Sequence, residues 1–148
     1  MNETIRRFGH PETLIAEYRQ WVVLLRPEQP TLGSLVLAAK SEATAFSGLH
    51  PAAFAELASI TWHIETALER AVGYAKINYL MLMMVDPHVH FHVLPRYDGS
   101  RAYAGVEVPD AGWPKMPVLA GAVALTPAQI DELVNWLKGF WPDLEATP

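Results

Sequence analysis

Cysteine is missing altogether from the 148 residues. Disulfides and thiolate metal sites are therefore excluded. A secretory leader pattern is also missing. The first twenty residues carry charges at Glu3, Arg6, Arg7, Glu12, Glu17 and Arg19, where a leader needs an uninterrupted apolar stretch. No apolar run approaches the ~20 residues that span a bilayer, since the longest covers only residues 80–85. Basic charge is scarce as well. The eleven Lys and Arg residues are scattered, and the formal net charge is −5. Duplex binding draws on a basic patch, so nucleic acid is not the expected partner, nor is a membrane. A small anionic ligand needs only a local group of donors. About half of the chain is hydrophobic (51%), enough for one core. The expectation is a cytoplasmic protein with one domain over residues 1–148, its core at about 10–97.

Residues 13–18 and 21–25 read as strands, Arg26 to Pro30 as a breaker-rich turn, and residues 35–38 after Gly33 as a third strand. Their closeness predicts an antiparallel meander. A helical turn fits within 41–47. Residues 51–72 have helix period, with Phe54, Leu57, Thr61, Ile64, Leu68 and Ala71 on one face and His63 off it. Pro51 suits the first turn and Gly73 the position past the end. The mostly apolar stretch 77–85 predicts a strand buried on both sides. It is joined at Asp86 and Pro87 to a second strand, 88–94, as a hairpin. Residues 98–124, rich in Gly and Pro, read as a long loop. Thr126, Pro127 and Gln129 have capping-box spacing and open a last helix over 126–141. The fold class expected is α+β: an antiparallel sheet packed with a long central helix and a C-terminal helix.

The chemistry concentrates in residues 88–94, His-Val-His-Phe-His-Val-Leu. Residues two apart on a strand share a face. His88, His90 and His92 thus form an imidazole row, backed by Val89, Phe91 and Val93. Such a row has three readings. It can be ordinary packing, although three histidines on one face of one strand seldom arise so. It can hold a metal, but His88 and His92 lie ~13 Å apart along a strand rising ~3.3 Å per residue. A two-histidine site would then need Asp86 or Asp98. Or each imidazole does separate work on an anionic substrate, one nitrogen attacking phosphorus while the other is held by a backbone carbonyl.

This segment, with the following Pro95 and Arg96, resembles the signature of the histidine triad family, and Lys76, Ile77 and Asn78 resemble its bacterial members. The resemblance implies an α+β fold, usually homodimeric. It further implies a nucleotide hydrolase or transferase acting on phosphoanhydride or phosphoramidate bonds, with no required metal or other cofactor. It assigns His90 as the nucleophile that forms a nucleotidyl-histidine, His92 as the holder of the α-phosphoryl oxygens, and His88 as support from within the protein. Three departures stand out. Ser34 occupies the place of a fourth histidine, Met84 that of a glutamine, and Arg26 that of an acidic or amide residue that binds ribose.

Asn78, Ser34 and Arg96 are the candidate substrate-binding residues beside the row. Asn78 also suits a strand end, and Arg96 a surface ion pair. Phe8 could stack on a base, whereas Trp21 is better explained by packing. Trp113 could cover a ligand or anchor its loop. Two other functions remain open, a nucleotide-retaining module without turnover and a metal-dependent hydrolase using the row.

Overall fold

The computed structural model describes residues 1–148. Five antiparallel strands form the main sheet: β1 (Leu14–Glu17), β2 (Trp21–Leu25), β4 (Leu35–Ala39), β6 (His90–Arg96) and β5 (Lys76–Leu80), in that spatial order. The short β3 (Glu28–Gln29) leaves the meander to pair with β9 (Val123–Ala124). The α+β class is as expected.

The two faces of the sheet follow from register. Val36 pairs with His92, Ala38 with His90 and Leu24 with Val36, so these residues share one face. Val23, Leu37, Phe91 and Val93 share the other. The second face meets α2 (Pro51–Val72), where Ile60, Ile64 and Leu68 are fully buried in the main core. Each such side chain contributes about 1.5–3 kcal/mol by leaving water. His50 caps α2 by accepting from the Ala52 N–H, and Gly73 ends it at φ 58°, a left-handed conformation that suits glycine. The buried stripe is rotated from the expected one. Phe54 is exposed and packs on Phe46, while His63 is fully buried. His63 tolerates burial because both ring nitrogens are bonded, Nδ1 to the Tyr18 hydroxyl at 2.8 Å and Nε2 to the Ala146 carbonyl at 2.7 Å.

A short helix absent from the sequence reading, α1 (Glu3–Arg7), lies on the first face. Asn2 caps it and donates to the carbonyls of Ala39 and Ser41. Ile5 is buried against Val22, Leu24, Val36 and Ala38. The helix therefore sits beside the histidines.

Three further expectations change. The strand foreseen over 77–85 ends at Leu80. The chain then turns through Met83, at φ 50°, and leaves Leu82, Met84 and Val85 exposed. β5 and β6 do pair antiparallel, but through a connection much longer than a tight hairpin. The 98–124 stretch is not all loop, because β7 (Ser100–Tyr103) and β8 (Val106–Pro109) form a hairpin within it. The last helix, α3 (Pro127–Lys138), has the complete capping box of Thr126 and Gln129 and buries Leu133, Val134 and Leu137.

Candidate active site

β6 begins at His90, so His88 lies just outside the strand, and its ring is engaged by α1 and Glu42 rather than paired with His90. Its Nδ1 meets the Thr4 hydroxyl at 2.8 Å, and its Nε2 lies 3.2 Å from the Glu42 carboxylate. The Thr4 oxygen also accepts the His88 backbone N–H, at 3.4 Å. Helix α1 thus fixes the backbone immediately before the strand.

That backbone sets the chemistry of the next histidine. The His88 carbonyl lies 2.7 Å from His90 Nδ1. A carbonyl can only accept, so Nδ1 carries the proton and donates it. In the neutral ring, Nε2 then holds a free lone pair. His90 and His92 face one another with ring centroids 5.1 Å apart at 81°. Phe8, just past α1, packs against both, at 5.5 and 5.7 Å. The two imidazoles are held rather than free to turn.

His92 has a different partner. Arg26 Nε donates to His92 Nδ1 across 3.4 Å, a long bond. An arginine N–H can only donate, so His92 must present the lone pair of Nδ1 and carry its proton on Nε2. Burial, then the charges of Arg26 and His90, push the His92 pKa down to about 4. His92 is consequently neutral at physiological pH. Neither Nε2 has a protein partner, and no buried side-chain polar atom is left unpartnered, so both reach solvent.

The two rings line a cavity of about 200 Å³ with Phe8, Arg26 and the segment from Leu82 to Asp86. Phe8 and Arg26 also wall a neighbouring cavity of about 230 Å³ with Arg7, Pro27 and Glu28. Arg7 bonds Asp86 at 3.2 Å, tying α1 to the segment that covers the histidines. No three His, Cys, Asp or Glu side chains converge as a metal-holding group.

The other sequence candidates lie elsewhere. Ser34 is fully buried, and its hydroxyl donates to the Thr31 carbonyl at 2.7 Å. It closes the turn before β4 and does not face the cavity. Arg96 is also buried and not a surface residue. Its guanidinium binds Asp110 through two nitrogens, the Lys115 carbonyl and the Asn78 side chain. Asn78 shares the face of His92, but its oxygen is engaged by Arg96 at 2.9 Å. These groups hold the strand to the loop that carries Trp113, away from the imidazoles. Trp21 is fully buried and donates to the Ala53 carbonyl, as packing requires. Met84 points into solvent, 87% exposed. Arg26, noted in the sequence only as a departure, is the residue brought unexpectedly to His92. Thr4 and Glu42 carry no recognisable signal, because their partner His88 is distant along the chain, and Asp86, a turn residue and candidate metal carboxylate by sequence, is paired with Arg7.

An antiparallel sheet with an ordered histidine pair on one strand accords with the resemblance to the histidine triad family. Comparison agrees: a family model, the HIT domain, matches residues 10–99, and the chain belongs to the histidine triad family. No curated protein matches the chain. Among solved structures, a histidine triad protein from Sinorhizobium meliloti superposes with TM-score 0.72 at 21% identity, covering 95% of each chain. One from Bradyrhizobium japonicum gives 0.71 at 18% identity, over 95% of this chain and 96% of that one. A hypothetical histidine triad nucleotide-binding protein from Sulfolobus tokodaii gives 0.63 at 17%, over 86% and 81%. These likenesses are of fold.

Proposed function

We propose that this protein is a nucleotidyl hydrolase or transferase that works through His90. The observation that carries the reading is the 2.7 Å contact between His90 Nδ1 and the His88 carbonyl. It leaves Nε2 as an unprotonated nucleophile at the cavity wall. Attack by Nε2 on the α-phosphorus of a small nucleotide forms a P–N bond. The phosphoanhydride or phosphoramidate bond to the leaving group breaks, and the leaving group departs with the electron pair and takes up a proton. Water, or another acceptor hydroxyl, then attacks the nucleotidyl-histidine. The P–N bond breaks, a nucleoside monophosphate or its ester is released, and His90 is restored. His92, with its proton on Nε2, donates to the phosphoryl oxygens. His88 acts from behind, through its carbonyl.

We read the working unit as a cytoplasmic homodimer. The outer side of β5 has no strand partner, which leaves a sheet edge open to a second copy. Light scattering of the purified protein tests this.

A panel of adenosine phosphoramidates and dinucleoside polyphosphates tests the chemistry. His90→Ala should fold and lose turnover, and wild-type protein should yield a phosphorus-linked adduct mapped by mass spectrometry to His90. Full turnover by His90→Ala overturns the reading. Two observations favour retention without turnover: the Ser34 hydroxyl is spent in a turn, and Met84 faces solvent. Tight binding with no product across the panel would establish that alternative.

A further inference from the structure

We propose that Arg26 is the cationic group of this site, holding His92 as an Nε2–H donor through its Nε and binding the phosphoryl oxygens of the ligand through its outer nitrogens. The proposal rests on the reading that a phosphoryl group meets His90.

A phosphate entering a mostly buried cleft loses water and needs charged donors in return. The imidazoles do not supply them. His90 must be uncharged to act as nucleophile. His92 is neutral near pH 7, for the reasons given above. His88 faces Thr4 and Glu42. Two arginines remain at the cavity walls. Arg7 is bonded to Asp86 and approaches Glu3 at 3.8 Å, so its charge is compensated. Arg26 has no carboxylate within ion-pair distance. Its side chain is anchored by the Glu28 carbonyl, which accepts from Nη1 at 2.6 Å, and by His92. Nη2 has no protein partner, and the guanidinium lines both cavities. Arg96 is the contrast, since its fork is filled by Asp110, Lys115 and Asn78.

The backbone holds this arrangement in place. The Arg26 N–H donates to the Ser34 carbonyl at 3.0 Å, and the Arg26 carbonyl accepts from Gln29 at 2.6 Å. The side chain therefore leaves the end of β2 in a fixed direction. A planar fork with free N–H groups fits a phosphate or phosphonate in a way that the compact charge of lysine does not.

The test needs no turnover. Arg26→Gln and Arg26→Lys are compared with wild type for binding of AMP and of inorganic phosphate by calorimetry. Nitrogen-15 NMR reads the tautomer and titration of His92. The titratable groups facing that ring are Arg26, His90 and Asp86. Arg26→Gln should weaken AMP at least tenfold, release the fixed Nε2–H tautomer and raise the His92 titration from about 4 toward the ordinary histidine range. Arg26→Lys should recover part of the affinity while leaving the tautomer unfixed. Wild-type affinity for AMP in Arg26→Gln, or unchanged His92 resonances, overturns the proposal. So does wild-type protein that binds neither probe. Binding of AMP that depends on Arg26, in a protein that turns over no nucleotide, sustains the role of Arg26 and removes the nucleotidyl-transfer reading instead.

Discussion

Arg96 and Asp110 meet through two charged hydrogen bonds, Nε to Oδ2 at 2.7 Å and Nη2 to Oδ1 at 3.0 Å, with both side chains almost wholly out of water. Asp110 also accepts from the backbone N–H of Tyr97 and of Gly112. The pair joins the end of the histidine strand to the chain that follows the β7–β8 hairpin. Removing one partner strands the other charge in a dry site. Asp110→Asn should therefore cost about 3 kcal/mol in urea unfolding. Replacing both residues by apolar ones should cost much less than the single changes together. An Asp110→Asn protein as stable as wild type would show that water reaches Arg96.

His92 gives stability a pH dependence. Its folded pKa is about 4, below the ordinary value of 6.5. Between these pH values this residue binds more protons in the unfolded chain than in the folded one, so its contribution to stability rises with pH across that window and is constant above it. The integrated effect of a shift this large is roughly 3 kcal/mol. Unfolding free energies at a series of pH values should show the slope in wild type and lose it in His92→Gln. The same slope in both proteins would assign it to another group.

Thr4 couples α1 to His90, the proposed nucleophile, through His88. The hydroxyl faces His88 Nδ1 and accepts its backbone N–H, while the His88 carbonyl orients His90. Thr4→Val keeps the shape and deletes both bonds. Stability should fall by about 1–2 kcal/mol. Turnover of the nucleotide panel should fall of order tenfold, the rate change that ~1.4 kcal/mol of lost alignment produces. Loss of stability with turnover intact would mean that the carbonyl is positioned by the strand alone.

The row itself was legible because period two is a local property: once residues 90–96 are a strand, His90 and His92 share a face without reference to the rest of the chain. The long helix and the capping box were legible for the same reason. What failed was non-local. An apolar run reads alike whether it fills a sheet or covers a cleft, so the sequence extends the strand over residues 81–85 although the chain leaves it at Met81. Arg96 reads as surface until Asp110 is known to lie beside it. Arg26 stands 66 positions from His92, and no spacing rule joins them. The signals for α1 were present in Asn2, Glu3, Arg6 and Arg7, as cap, early acid and late bases. Five residues carry too little periodicity to weigh against their charges.

Far from the cleft, Tyr18 and His63 form the middle of a directional chain of bonds. The Ala146 carbonyl can only accept, so His63 donates from Nε2, and in the neutral ring Nδ1 accepts. The Tyr18 hydroxyl is the donor to Nδ1, at 2.8 Å, and accepts in turn from Trp141 Nε1 at 2.9 Å. Burial pushes the Tyr18 pKa up to about 12, which keeps the phenol protonated and the direction fixed. Tyr18→Phe leaves a buried imidazole nitrogen and an indole N–H without partners, at a cost of about 1–3 kcal/mol each where water cannot replace the bond. The residues after α3 should then loosen, and limited proteolysis should cut there first, while AMP binding at the distant cleft stays at the wild-type level. Protection of that segment in Tyr18→Phe equal to wild type would show that apolar packing of Trp141, and not the bond chain, holds the C-terminal residues down.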